Sequence, residues 1–166
     1  MKEFIYCQKD IPKDKWRYGF RSSAATGCGW IAVYNALLLL GVDPEPEELI
    51  RFFVRRLPLI HGTFGTSPLA PAVCLRKKGF RVSHTVCRSR MDELAKSSDA
   101  VLLYYWWRDG WQLGAHFITV RYDGENFIGY NVYANSKKPS VLGKSLKGFL
   151  GSNGHFFPVV IGVNRK

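Results

Sequence analysis

The sequence predicts an α+β domain in which helices come first and an antiparallel sheet follows. Two patterns carry the prediction. Between residues 27 and 78 the apolar positions recur at helical spacing and are punctuated by capping and breaking residues, and beyond residue 80 β-branched and aromatic runs alternate with turn residues. A third signal is Asp123-Gly124 between two such runs, a strong hairpin sign, because a tight turn of matching twist needs positive φ and glycine supplies it cheaply.

Gly27 to Leu40 reads as the first helix, apolar nearly all round and therefore buried, and stopped by Gly41 in a left-handed cap. After the turn Asp43-Pro44-Glu45-Pro46, the stretch Glu47 to Leu57 puts Leu49, Ile50, Phe53, Val54 and Leu57 on one side and ends before Pro58. Thr66-Ser67-Pro68 signals a third helix through a capping hydroxyl and a proline at the first helical position, running to Lys78 before Gly79. Met91 to Lys96 is a short fourth. Arg81 to Val86, Val101 to Trp107, His116 to Tyr122, Phe127 to Val132 and Phe156 to Val163 are the predicted strands.

A chain of 166 residues, 46% hydrophobic and 14% aromatic, is long enough to bury one core, so residues 1–166 are expected to form a single domain. There is no internal repeat and no linker composition. The first sixteen residues carry Lys2, Glu3, Lys9, Asp10 and Lys13 and lack the apolar stretch of a secretory signal. Trp30 to Leu40, the longest apolar run, is interrupted by Asn35 and falls short of the ~20 residues a membrane-spanning helix needs. Cys7, Cys28, Cys74 and Cys87 lie too far apart for a zinc knuckle or a redox CxxC pair, so free thiols, a reducing cytoplasmic setting and no metal or cofactor are expected. The net charge of +11 favours acidic partners, including an acidic peptide substrate, but the Lys and Arg residues form no block, which speaks for a solvated basic surface rather than a nucleic-acid stripe.

A thiol becomes nucleophilic when its thiolate is stabilised, and a helix N-terminus beside an imidazolium does that. Cys28 opens the first helix between Gly27 and Gly29, which permit a tight entry turn and close approach of a substrate backbone. Alone, such a cysteine is more often an inert core residue. A catalytic cysteine also needs a base and an orienting acceptor. His116 begins one arm of the predicted hairpin and Asn131 ends the other, at the same end of the ladder. Individually these are a strand-edge histidine and a turn asparagine; with Cys28 they form a candidate triad. His61 falls in a glycine-rich loop, His84 in mid-strand, and His155, after Gly154, has no Asn or Asp suitably placed behind it, leaving it a reserve base.

Cys28-Gly29 on a buried helix, then Gly114-Ala115-His116-Phe117-Ile118-Thr119-Val120 leading through Tyr122-Asp123-Gly124 to Tyr130-Asn131, resembles the papain-like cysteine peptidases. The pattern is most similar to the bacteriocin-processing, double-glycine-leader type and its stand-alone bacterial relatives. The resemblance implies a nucleophile helix packed on a C-terminal twisted antiparallel sheet. It further implies Cys28 as nucleophile, His116 as general base and then acid, Asn131 as the group holding the imidazole tautomer, and acyl transfer from a peptide or amide to the thiolate. Such peptidases carry a Gln about six residues before the cysteine to donate to the oxyanion; here Ser22 stands there. Gln8 folding back, Ser22, Ser23, or the Cys28 amide nearly alone are the candidate donors.

For substrate binding, the small-residue loop Gly62 to Ser67 suits the wall of a cleft, with Gly65 and Thr66 as candidates, or is a plain connector. Trp111 is a third candidate, and some rings of Tyr104-Tyr105-Trp106-Trp107 are expected to wall the cleft, the rest entering the core. The functional readings are a cysteine peptidase-like hydrolase, a papain-like domain that binds a peptide without cutting it, and a basic nucleic-acid-binding module.

Overall fold

The structure is a computed structural model and describes residues 2–55 and 66–166. Six antiparallel strands form the main sheet: β3 (Arg81–Thr85), β4 (Ala100–Asp109), β5 (Gln112–Tyr122), β6 (Phe127–Tyr130), β7 (Ser140–Gly143) and β8 (Phe156–Asn164), in the order β3-β8-β4-β5-β6-β7. A two-stranded ribbon, β1 (Arg17–Tyr18) and β2 (Arg21–Ser22), precedes the helices α1 (Ser23–Thr26), α2 (Cys28–Leu39), α3 (Pro46–Arg55) and α4 (Ala70–Lys77). Helices α5 (Met91–Lys96) and α6 (Leu146–Ser152) complete the chain. Among the described residues, no helix is long and apolar enough to cross a membrane.

Alternation along the central strands divides the core between the two faces of the sheet. Leu102, Tyr104, Phe117 and Ile161 join α2, α3 and α4 in one cluster, while Val101, Leu103, Tyr105, Ile118 and Val160 face α5 and α6 in the other. α2 is buried from Cys28 through Leu37, as a sequence apolar on nearly every side requires. Its C-terminus closes at Gly41, φ 77°, with Val42 N donating to Leu37 O (2.9 Å) and Gly41 N to Leu38 O (3.1 Å), the six-to-one and five-to-two pair of a left-handed cap. Thr119 Oγ1 on β5 donates to Ala32 O in α2 at 2.8 Å, pinning helix to sheet in the core.

Asn35 is the one polar residue in the middle of α2, and its burial is compensated. Its Oδ1 accepts from Ile5 N and its Nδ2 donates to Ile5 O, both at 2.9 Å, so the amide pairs with the N-terminal segment as a strand neighbour would. Lys2, bonded to Pro44 O (2.7 Å), and Tyr34, whose hydroxyl donates to Glu3 O (3.2 Å), fasten the same segment to the helical half. The strap then crosses to the sheet side, where Cys7 Sγ donates to Ala134 O at 2.9 Å.

The structure departs from the sequence expectations at several places. The third helix begins at Ala70 rather than at Pro68, with Pro71 in its first turn, because the Thr66 hydroxyl does not cap it but pairs with Tyr18 Oη at 2.7 Å. β6 stops at Tyr130 rather than Val132, since Asn131 takes φ 60° and turns the chain out of the ladder. The hairpin after Tyr122 is a four-residue loop, in which Asp123 Oδ1 accepts from Glu125 N (3.0 Å) and Asn126 N (2.7 Å) while Gly124 takes φ 104°. The second helix is described only as far as Arg55, so its predicted end before Pro58, together with His61 and Gly65, lies outside the described residues.

β7 and α6 went unpredicted. α6 is short and holds Gly148 and Gly151, so its helical signal is weak; it is set by Ser145, whose Oγ accepts from Gly148 N (3.2 Å), and by Asp92 of α5, which accepts from Leu146 N at 2.7 Å. All four cysteines are free, with Cys7, Cys28 and Cys74 buried and Cys87 exposed.

Candidate functional site

The first turn of α2 and the middle of β5 meet at one cleft. Cys28 is placed at the helix N-terminus by Gly27, where a side chain would sit 2.6 Å from both Ser23 O and Trp30 Nε1. Gly29 is demanded by Thr66, whose side chain occupies the space a Cβ would need. The amides of Phe117, Gly29 and Cys28 itself are directed at the Cys28 sulfur and favour its thiolate, but burial outweighs them and pushes the thiol up to about 11.

His116 precedes Phe117 on β5 and is partly buried. Its Nε2 lies 2.7 Å from the backbone oxygen of Asn131. A carbonyl only accepts, so Nε2 carries the proton of the neutral ring, and Nδ1 is the free base. Burial holds His116 below its ordinary value, opposed by the bond to Asn131, so the ring is neutral near pH 7.

The side chain of Asn131 points elsewhere. Its Oδ1 accepts from Gln8 N at 2.8 Å and its Nδ2 reaches Gln8 Oε1 at 3.5 Å. Gln8 Nε2 in turn donates to Ala24 O at 3.2 Å, one of the two hydrogens that amide carries, which leaves the other available. The strap that Asn35 anchors thereby delivers a glutamine twenty residues upstream into the cleft, next to the residue that accepts from His116.

The cleft has two limbs, and Gln8, Ala25, Trp107, Ala115 and His116 line both. The narrower limb, about 310 Å³, holds Cys28 and is walled by Thr66, Tyr104, Leu113 and Gly114. The wider one, about 650 Å³, extends over Tyr105, Asn131, Tyr133 and His155. Trp107 fills the space above Gly114, where any side chain would collide with its indole, and so stands between strand and cleft.

Of the residues singled out in the sequence, Cys28, His116, Asn131, Gln8 and Thr66 are brought to this cleft. Ser22 and Ser23 line neither limb. Ser23 is fully buried and accepts from Trp30 Nε1 at 3.0 Å, because the helix entry turns it towards the core. Trp111 lines neither limb: at the β4–β5 turn, beyond Gly110 (φ 54°), it is 98% exposed. Sequence reading missed Tyr18, whose two-residue strand is too short to show a pattern; His155, held there as a reserve base, lines the wider limb together with His116.

Searches against protein-family models and against curated proteins find no match. Among solved structures the fold is similar to the peptidase domain of Streptococcus ComA, described as a bi-functional ABC transporter involved in a quorum-sensing pathway. The TM-score is 0.60 at 13% identity, over 86% of this chain and 93% of that one. At that identity the likeness is one of fold: the chain has the papain-like α+β fold.

Proposed function

We propose that the protein is a cysteine peptidase-like hydrolase that cleaves a peptide or amide bond through Cys28 and His116, in a reducing, cytoplasmic setting. The observation that supports this best is the shared cleft, one limb of which is lined both by a cysteine opening a buried helix and by a histidine whose Nδ1 is left free by its Nε2 bond to Asn131 O. The papain-like fold makes a peptide the natural substrate class, and the +11 charge favours an acidic one.

Cys28 and His116 are each driven to the neutral form by burial. Proton transfer from Sγ to Nδ1 therefore accompanies attack rather than preceding it, and each resulting charge compensates the other. The sulfur adds to the carbonyl carbon, and the oxyanion takes hydrogen bonds from the Cys28 amide and the free Nε2 hydrogen of Gln8. His116 gives its proton to the leaving nitrogen as the C–N bond breaks. Water, deprotonated by His116, then attacks the thioester, and Cys28 leaves with the proton returned to it.

A second reading, a peptide-binding domain that does not cut, is favoured by one observation: the Cys28 thiol is held at about 11, far from a resting thiolate. Alkylation separates the two. Cys87, exposed and held below its ordinary value chiefly by the Ser89 hydroxyl, is the fastest ordinary thiol expected, so the comparison is made in a Cys87→Ser background. Iodoacetamide at pH 7 should modify Cys28 at least tenfold faster than Cys7 or Cys74 and lose that preference in His116→Ala, and Cys28→Ser should abolish cleavage of a mixed peptide library. Equal rates at the three cysteines, with no library cleavage, would leave the binding reading.

A further inference from the structure

The wider limb of the cleft contains a histidine that the proposed reaction does not use. His155 is set between α6 and β8 by Gly154, φ 62°, and by its own amide, which donates to Leu150 O at 2.9 Å; Arg88 holds its carbonyl at 3.1 Å. Its ring stacks on Tyr105 with centroids 4.0 Å apart and planes at 22°, and Phe149 packs at 5.3 Å. The same Tyr105 ring meets His116 edge-on at 6.1 Å, so the two imidazoles share one aromatic support.

Among the described residues, His155 Nδ1 is enclosed and has no hydrogen-bond partner. An enclosed lone pair costs less than an enclosed N–H, which assigns the proton of the neutral ring to Nε2. Burial and the nearness of His116 both hold His155 below its ordinary value, so it stays neutral while His116 cycles its proton. The titratable and charged groups that line the limb with it are His116, Tyr105, Tyr133, Lys9 and Asp109, with Arg88 on its carbonyl. The opposite charges of Lys9 and Asp109 leave the limb without a strong preference for an ion; besides the uncharged amides of Gln8 and Asn131 and the two imidazoles, its walls are aromatic and apolar, among them Tyr105, Trp107, Val132 and Tyr133.

We propose that His155 is a substrate-binding residue, whose Nε2–H donates to a main-chain carbonyl oxygen of the peptide segment lying in the wider limb, across the reacting bond from the part held against Thr66. Resting on the peptide reading of the cleft, the assignment makes the limb a site for an uncharged, extended peptide stretch with an apolar side chain packed on Tyr105 and Trp107. Neutral hydrogen-bond donation of this kind changes affinity by about tenfold.

The test measures binding, so that it does not depend on cleavage. A library of random octapeptides is panned against Cys28→Ala, and the dissociation constant of the best retained peptide is measured on that protein, on Cys28→Ala/His155→Phe and on Cys28→Ala/His155→Gln. Phenylalanine keeps the stack on Tyr105 without a donor, and glutamine restores a donor; near-ultraviolet circular dichroism confirms that each variant is folded. The expected result is about tenfold weaker binding for phenylalanine and recovery of most of that loss by glutamine. Equal affinities for the three proteins, a loss that glutamine does not recover, or no peptide retained by Cys28→Ala would each overturn the assignment. Failure of the wild type to hydrolyse the retained peptide would instead count against the proposed reaction alone.

Discussion

His116 donates its Nε2 proton to the backbone carbonyl of Asn131, at 2.7 Å, and not to the Asn131 side chain, which is turned to Gln8. The positive φ of Asn131, 60°, produces this division: it lifts the carbonyl out of the β6 ladder towards the imidazole and swings the amide to the strap. One residue thus orients two others, by different atoms.

Asn131→Gly separates the two functions. Glycine adopts φ 60° without strain and retains the carbonyl, so His116 keeps its partner, whereas Gln8 loses the Oδ1 acceptor for its amide. Alkylation of Cys28 as a function of pH should follow the wild-type curve in Asn131→Gly, while turnover falls by about tenfold to 100-fold if Gln8 is the oxyanion donor. An Asn131→Gly curve resembling that of His116→Ala would show that the side chain, not the carbonyl, orients the ring.

Stability should fall on both sides of a plateau from about pH 6.5 to 9. His116 and His155 lie below their ordinary value of 6.5 in the folded chain, so their contribution is present above that pH and is lost as the pH falls through the folded values. Cys28 and Cys74 are raised from 9.0 to about 11, so theirs is present below pH 9 and is lost as the pH rises towards 11. The carboxylates with lowered values, Glu47 and Asp123, act only below about pH 5, since their ordinary values are 4.5 and 3.8. Urea midpoints across this range, in reductant, should show an acid limb between pH 6.5 and 5 that is shallower in His116→Gln. An identical limb in that variant would mean that burial of the ring does not hold its proton off.

Gly29→Ala tests how closely α2 approaches Thr66. Helical propensity alone favours alanine by up to about 1 kcal/mol, but the new methyl group meets the Thr66 side chain. Overpacking of this kind costs about 1–3 kcal/mol, so net destabilisation is expected from urea unfolding. In a Thr66→Gly background the same change should become neutral or stabilising, a coupling that independent sites do not show. Additive effects would place Thr66 away from the helix start.

Chain-local patterns explain why much of the fold could be read in advance. The run from Trp30 to Leu40, apolar but for Asn35 and ended by Gly41, reads as a buried helix, and β4, β5 and β8 announce themselves by aromatic and β-branched runs that need a covered sheet on both faces. Cys28 opening that helix was visible for the same reason, since helix starts are set by residues a few positions apart; the hairpin was visible too, but β5 runs back to Gln112 and pairs with β4 there, so His116 lies in mid-strand rather than at the start of an arm, and Asn131 follows β6 rather than ending it.

What the tertiary structure decided is where residues distant in sequence come to rest, and which atom of each is used. Gln8 reaches the cleft because Asn35, thirty positions beyond Ile5, supplies a pair of hydrogen bonds that turns the N-terminal segment into a strap. Thr66 walls the cleft instead of capping a helix because Tyr18 competes for its hydroxyl, and Trp111 stands in solvent because the β4–β5 turn carries it past the cleft. Spacing cannot report that Asn131 serves His116 through its backbone, nor that His155 joins His116 on Tyr105. Those outcomes depend on a single φ and on the packing of four strands, and they are settled by contacts that cross between elements, from the 15 residues separating His116 and Asn131 to the 123 separating Gln8 and Asn131.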